Sequence, residues 1–98
     1  MSSIIQKNRN ECFLCHRNGY SDPLDKHHIF GGALRNKSEK YGLTVYLCHS
    51  SCHIFGCNSV HQNAEISNNL KMIAQQRCME EYGWTVDRFR KEFRKNYL

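Results

Sequence analysis

Two cysteine pairs limit this chain more than any other feature: Cys12-x-x-Cys15, and Cys48-x-x-x-Cys52 followed at once by His53. Two cysteines three positions apart can grip one tetrahedral zinc ion from a tight turn. A redox pair has the same spacing, but it normally opens a helix after a strand. Here His16-Arg17-Asn18-Gly19 follows, which is turn chemistry. With the second pair, the expectation is a closed four-cysteine zinc site built from Cys12, Cys15, Cys48 and Cys52. Cys57 is a rival for the fourth place. A site of this kind supplies folding energy rather than catalysis. Cys78 falls on an apolar helical stripe and reads as a small buried hydrophobe.

The chain needs such a staple. Its 98 residues make one small domain, of a size that often depends on a metal or on disulfides. Six cysteines and six histidines supply metal ligands. The stretch Met1 to Lys7 has no apolar run of secretory length, and no stretch approaches the ~18 apolar residues of a membrane span. The expected setting is therefore a reducing cytoplasm with no membrane contact, which favours thiolates over disulfides. A net charge of +5 suits a polyanionic partner and says nothing about fold.

Residues 1–11 read as a polar lead-in, apart from Ile4 and Ile5. Gly19-Tyr20-Ser21-Asp22-Pro23 is a loop. Lys26 to Phe30 is a short candidate strand, and Leu43 to Cys48, β-branched and aromatic, is the best strand in the chain. Between them lies a polar, basic loop carrying Arg35, Lys37 and Lys40. The two strands form an antiparallel ribbon, and a connection this long is more often functional than not. After Cys48 a short helix can start, with Ser50 or Ser51 as its cap. Ile66, Leu70, Ile73, Ala74, Cys78 and Tyr82 mark one face of a longer helix that stops at Gly83. Thr85 caps a last helix with Val86, Phe89, Phe93 and Tyr97 on one stripe. The basic face opposite (Arg88, Arg90, Lys91, Arg94, Lys95) reads as a solvated surface. The fold class is α+β, with a core over 12–63 and a helical extension over 64–98.

Between the cysteine pairs lies Asp25-Lys26-His27-His28-Ile29-Phe30-Gly31-Gly32. Adjacent residues on a strand face opposite ways, so His27 and His28 cannot share one ion symmetrically. One can hold a metal while the other flanks the same cleft. His53 can meet a strand histidine across the ribbon, and His61 can return to the same point. A lone histidine is usually just a satisfied or exposed side chain. Four beside a zinc staple point to a metal site.

The order Cys-x2-Cys, Asp-x-His-His-Ile, a strand ending Leu-Cys, then Cys-His resembles the HNH endonucleases of the ββα-metal class. Ser38 to His49, with Val60-His61-Gln62-Asn63 and the closing Asn96-Tyr97-Leu98, is similar to small HNH-type proteins of phages and prophages. The resemblance implies a zinc-stapled ββα-metal domain with two C-terminal helices, acting in a bacterial or phage-infected cell. It implies hydrolysis of DNA phosphodiesters to 5′-phosphate ends. His28 would be the general base that deprotonates water. His27, His53 and His61 would hold a catalytic divalent ion (Mg²⁺, Mn²⁺, Ni²⁺ or Zn²⁺). Arg35, Lys37 and Lys40 would hold backbone phosphates in a sequence-blind, salt-dependent way. The protein would act as a monomer, with targeting left to a protein partner or to DNA structure.

Two features depart from the family's pattern. Three residues, not two, separate Cys48 from Cys52. Tyr41-Gly42-Leu43 stands where the motif asparagine usually opens the second strand; which residue replaces it is open, Asn36 in the loop being one candidate. Two other functions fit parts of the chain: a non-catalytic zinc module that binds DNA or protein, and a thiol-redox protein built on Cys12 and Cys15.

Overall fold

A computed structural model describes residues 3–54, 56 and 59–98. It shows a small α+β fold, a two-stranded antiparallel sheet with helices. Strand β1 is Leu24–His28 and strand β2 is Thr44–Cys48. The register sets Leu24 opposite Cys48, His27 opposite Val45 and His28 opposite Thr44. The first strand starts and stops two residues earlier than its sequence suggests. Its end has a physical cause. The Ile29 N–H still bonds the Leu43 carbonyl, but the Phe30 N–H is taken by the Ser38 hydroxyl at 2.9 Å. The chain leaves the ladder there.

The connection expected as a polar loop is instead a helix. A single 3-10 turn (Gly32–Leu34) leads into α1, Arg35–Tyr41. Ser38 holds it down, accepting from the Phe30 N–H and donating to the Phe30 carbonyl, each at 2.9 Å. Gly42, at φ 74°, closes the helix in the left-handed conformation that glycine adopts most easily. The seven residues of α1 carry no apolar stripe, so periodicity had nothing to detect.

Past β2 the chain winds through one wide helical turn, His49–Ile54. Neither Ser50 nor Ser51 caps it. Their N–H groups both donate to the Asp22 carboxylate, at 2.9 Å each, so the cap comes from the loop before β1. Helix α2 is Ala64–Tyr82, capped by Asn63, whose side chain accepts from the N–H groups of Glu65 and Ile66. Gly83 ends it at φ 66°. Leu70, Ala74 and Cys78 face inward as expected, but Ile73 does not: it is 40% exposed, and Gln75 is buried. Gln75 is satisfied by the chain's tail, accepting from the Tyr97 N–H and donating to Asn96, both at 2.7 Å. Helix α3 is Val86–Phe93, with Thr85 as its cap.

The core joins these pieces. Phe30, fully buried at the end of β1, meets Phe93 at 4.7 Å, Tyr97 at 5.3 Å and Phe89 at 5.8 Å between ring centres. Aromatic pairs at these spacings add to the burial that drives folding. The lead-in segment runs beside β2. The Ile4 N–H bonds the Gly42 carbonyl, and Gln6 accepts from the Tyr46 N–H at 2.6 Å. Ile4 and Ile5 pack against the core. Among the described residues, no helix is long and apolar enough to cross a membrane.

Candidate metal centres

The four cysteines converge. The sulfurs of Cys12, Cys15, Cys48 and Cys52 all lie within 4.8 Å of one another, and Cys15 and Cys48 approach to 3.4 Å. A tetrahedral zinc with bonds near 2.3 Å spaces its sulfurs about 3.8 Å apart, so one ion fits this group. The first pair sits on a tight turn in which Cys12 donates to the Arg17 carbonyl and His16, at φ 65°, donates to the Cys12 carbonyl. Phe13 donates to the Tyr46 carbonyl and hangs that turn on β2. Cys12, Cys48 and Cys52 are buried, which suits a structural centre rather than an open one. Burial raises the Cys12 thiol, but the N–H groups of Cys15, Cys48 and Leu14 outweigh it and bring the group to about 7. Burial and the neighbouring thiols push Cys48 up to about 12. Crowded thiolates need a cation, and four sulfur donors suit Zn²⁺. Cys57, the rival ligand, lies outside the described residues.

A second cluster lies on the face of β1 that carries Asp25 and His27. Ligand nitrogens of His27, His53 and His61 fall within 4.8 Å of one another. Their ring centres are 5.1 Å (His27 to His53), 5.7 Å (His27 to His61) and 4.8 Å (His53 to His61) apart. Backbone pairing brings the last two together: Val60 donates to the Cys52 carbonyl and His61 to that of His53. One residue apart, Cys52 thus joins the first cluster and His53 the second. Burial, and then the nearby His53, His61, His28 and Lys71, hold His27 down at about 3. It is therefore a neutral imidazole at any ordinary pH, the form that ligates metal.

Asp25 had no role from sequence, yet it orders this cluster. Its Oδ2 meets Nδ1 of His49 at 2.5 Å and Nδ1 of His53 at 3.0 Å. With Nδ1 of His53 engaged, Nε2 is left to ligate, the usual carboxylate–histidine–metal arrangement. Burial opposes ionisation of Asp25, but the hydrogen bonds to His53 and His49 hold its carboxyl below the usual range.

The opposite face of β1 carries Lys26 and His28, and both reach Glu39 on α1. Lys26 Nζ bonds Glu39 Oε1 and His28 Nε2 bonds Glu39 Oε2, each at 2.8 Å. Those bonds, Lys26 first, hold Glu39 at about 2. Asn36 lines the pocket that Lys26, His28, Arg35 and Glu39 share. The carboxylate bonded to His28 is nonetheless that of Glu39, not the asparagine side chain that sequence put forward.

Both groups meet in one cleft of about 450 Å³, lined by the three clustered histidines together with His28, Lys26, Arg35 and Lys71. Of the three cations expected to hold phosphates, Arg35 lines it. Lys37 instead donates to the Glu92 carbonyl at 2.6 Å, and Lys40 sits over the Tyr41 ring at 5.2 Å. Lys26 and Lys71 were not singled out by sequence. Lys26 could have been found by strand alternation, two residues from His28. Lys71 and Glu39 lie on helices whose placement no local pattern reveals. No family model, curated protein or solved structure matches this chain.

Proposed function

We propose that this protein is a metal-dependent DNA endonuclease of the HNH, ββα-metal kind, with a structural zinc on its four cysteines and a catalytic divalent ion on His27, His53 and His61. One observation carries the reading: the three-histidine cluster and His28, a histidine outside it, line one cleft flanked by Lys26, Arg35 and Lys71. A closed zinc module has no need of a second ligand cluster beside a further histidine held by a carboxylate.

Each side chain then has a task. Lys26, Arg35 and Lys71 draw the phosphate backbone into the cleft by charge. His28 takes a proton from the attacking water. His27, His53 and His61 offer three imidazole nitrogens, a donor set that suits Zn²⁺ or Ni²⁺ better than Mg²⁺. A divalent ion held there would stabilise charge on the phosphoryl oxygens and the leaving 3′ oxygen. Asp25 keeps His53 turned towards that ion.

The test is cleavage of supercoiled plasmid with added Mg²⁺, Mn²⁺, Ni²⁺ or Zn²⁺, comparing wild type with His28→Ala. The expected result is metal-dependent cutting by the wild type, lost in His28→Ala while both metals stay bound. Equal cutting by both removes His28 from the mechanism. No cutting by the wild type favours a non-catalytic zinc module.

A further inference from the structure

We propose that Glu39 is a positioning residue, which fixes His28 as the tautomer with its proton on Nε2 and its Nδ1 bare. The inference rests on the reading of His28 as the base. The local geometry places a carboxylate against the candidate base, at 2.8 Å from its Nε2.

The argument starts from the hydrogen bond. A carboxylate accepts and does not donate, so the 2.8 Å contact between His28 Nε2 and Glu39 Oε2 requires the proton on the histidine nitrogen. In the neutral ring, Nδ1 is then the nitrogen with a lone pair to offer. His28, with Lys26 and Arg35, lines both the pocket that holds Glu39 and the cleft that holds the three other histidines.

The carboxylate is itself held from several sides. Lys26, two residues before His28 on the same face of β1, takes the other Glu39 oxygen at 2.8 Å. Helix α1 fixes the Glu39 backbone, because its neighbour Ser38 is bonded twice to Phe30 and the Glu39 carbonyl receives the Gly42 N–H. Base and orienting group thus sit on two elements pinned to each other within a few residues. During reaction the water proton passes to Nδ1 as its oxygen bonds the phosphorus. The bond from phosphorus to the 3′ oxygen breaks, and solvent protonates the leaving oxygen. The ionised Glu39 steadies the positive charge that appears on the His28 ring, as an acid steadies histidine in hydrolase triads.

Two readouts test this on the full, metal-loaded chain. The first is a long-range nitrogen–proton correlation spectrum at neutral pH, with the His28 signals assigned by their loss in His28→Gln. The expected result is a neutral ring protonated on Nε2, with the Nδ1-protonated form gaining population in Glu39→Gln. The second is plasmid cleavage by Glu39→Gln and Glu39→Ala, both expected to lower kcat by about 10²-fold with KM for DNA held within about twofold. A wild-type His28 carrying its proton on Nδ1 overturns the proposal, and so do variants that change neither the tautomer nor kcat. The tautomer is read on the wild type, so a variant that fails to fold leaves the proposal testable. A protein that cuts no DNA yet shows the expected tautomer, lost in Glu39→Gln, overturns the nuclease reading and supports the positioning role.

Discussion

Asp25 and Lys26 are neighbours on β1 and serve opposite faces of it. Alternation sends Asp25 with His27 towards the histidine cluster, and Lys26 with His28 towards Glu39. The separation of His27 from His28 was legible in the sequence because strand period alone decides it. The groups that orient them were not, because those bonds join residues 11 to 28 positions apart. Asp25 is not one of the three clustered histidine ligands, but it bonds the His53 ring of that cluster. Asp25→Asn should weaken the exchangeable ion by about 10- to 100-fold and leave the four-cysteine zinc in place. Competition against a metal indicator measures this; unchanged affinity would show that Asp25 merely packs. His27 adds a pH dependence. Its folded value, about 3, lies below the ordinary 6.5, so the unfolded chain binds the extra proton. The neutral ring's contribution to stability is whole above about pH 6.5 and is lost as pH falls towards 3. Urea midpoints should therefore drop on acidification, and drop less steeply in His27→Gln.

At the scale of elements, sequence reading did best where a pattern repeats and worst where a single side chain decides. The cysteine spacing, the β2 run, the Gly83 stop of α2 and the Thr85 cap all follow local rules. Helix α1 does not. It is polar except for Tyr41 at its end, and it stays against the sheet through that ring's packing and because buried Ser38 satisfies both backbone groups of Phe30. Ser38→Ala would leave those buried groups without their partner, at a cost of about 1–3 kcal/mol. The same change should loosen Glu39 and lower cleavage further than the stability loss explains. Denaturant unfolding of the variant beside its cleavage rate checks both. Gln75 teaches the same lesson on α2. Apolar periodicity put Ile73 inside, but the tail's need for hydrogen bonds selected the amide instead.

For the whole molecule, the two candidate centres share a short stretch of chain. Cys52 belongs to one and His53 to the other, so the four-cysteine site fixes the turn that presents a ligand to the second. Charge acts on the same scale. Lys71 lines the cleft, whereas Lys37 is bonded to Glu92. Lys71→Ala should weaken DNA binding about equally across sequences and reduce the slope of affinity against salt by about one, while Lys37→Ala leaves that slope nearly unchanged. Filter binding over a range of salt concentrations distinguishes the two lysines.

The most direct measurement is metal content per chain, taken on the same samples as plasmid cleavage, before and after dialysis against a mild chelator. The expected result is two ions per chain when loaded and one, on the cysteines, after dialysis, with cleavage lost and regained in step with the second. His53→Ala should hold one ion throughout and cut nothing. A single ion per chain under every condition, with cleavage either absent or indifferent to dialysis, would contradict a catalytic ion on His27, His53 and His61.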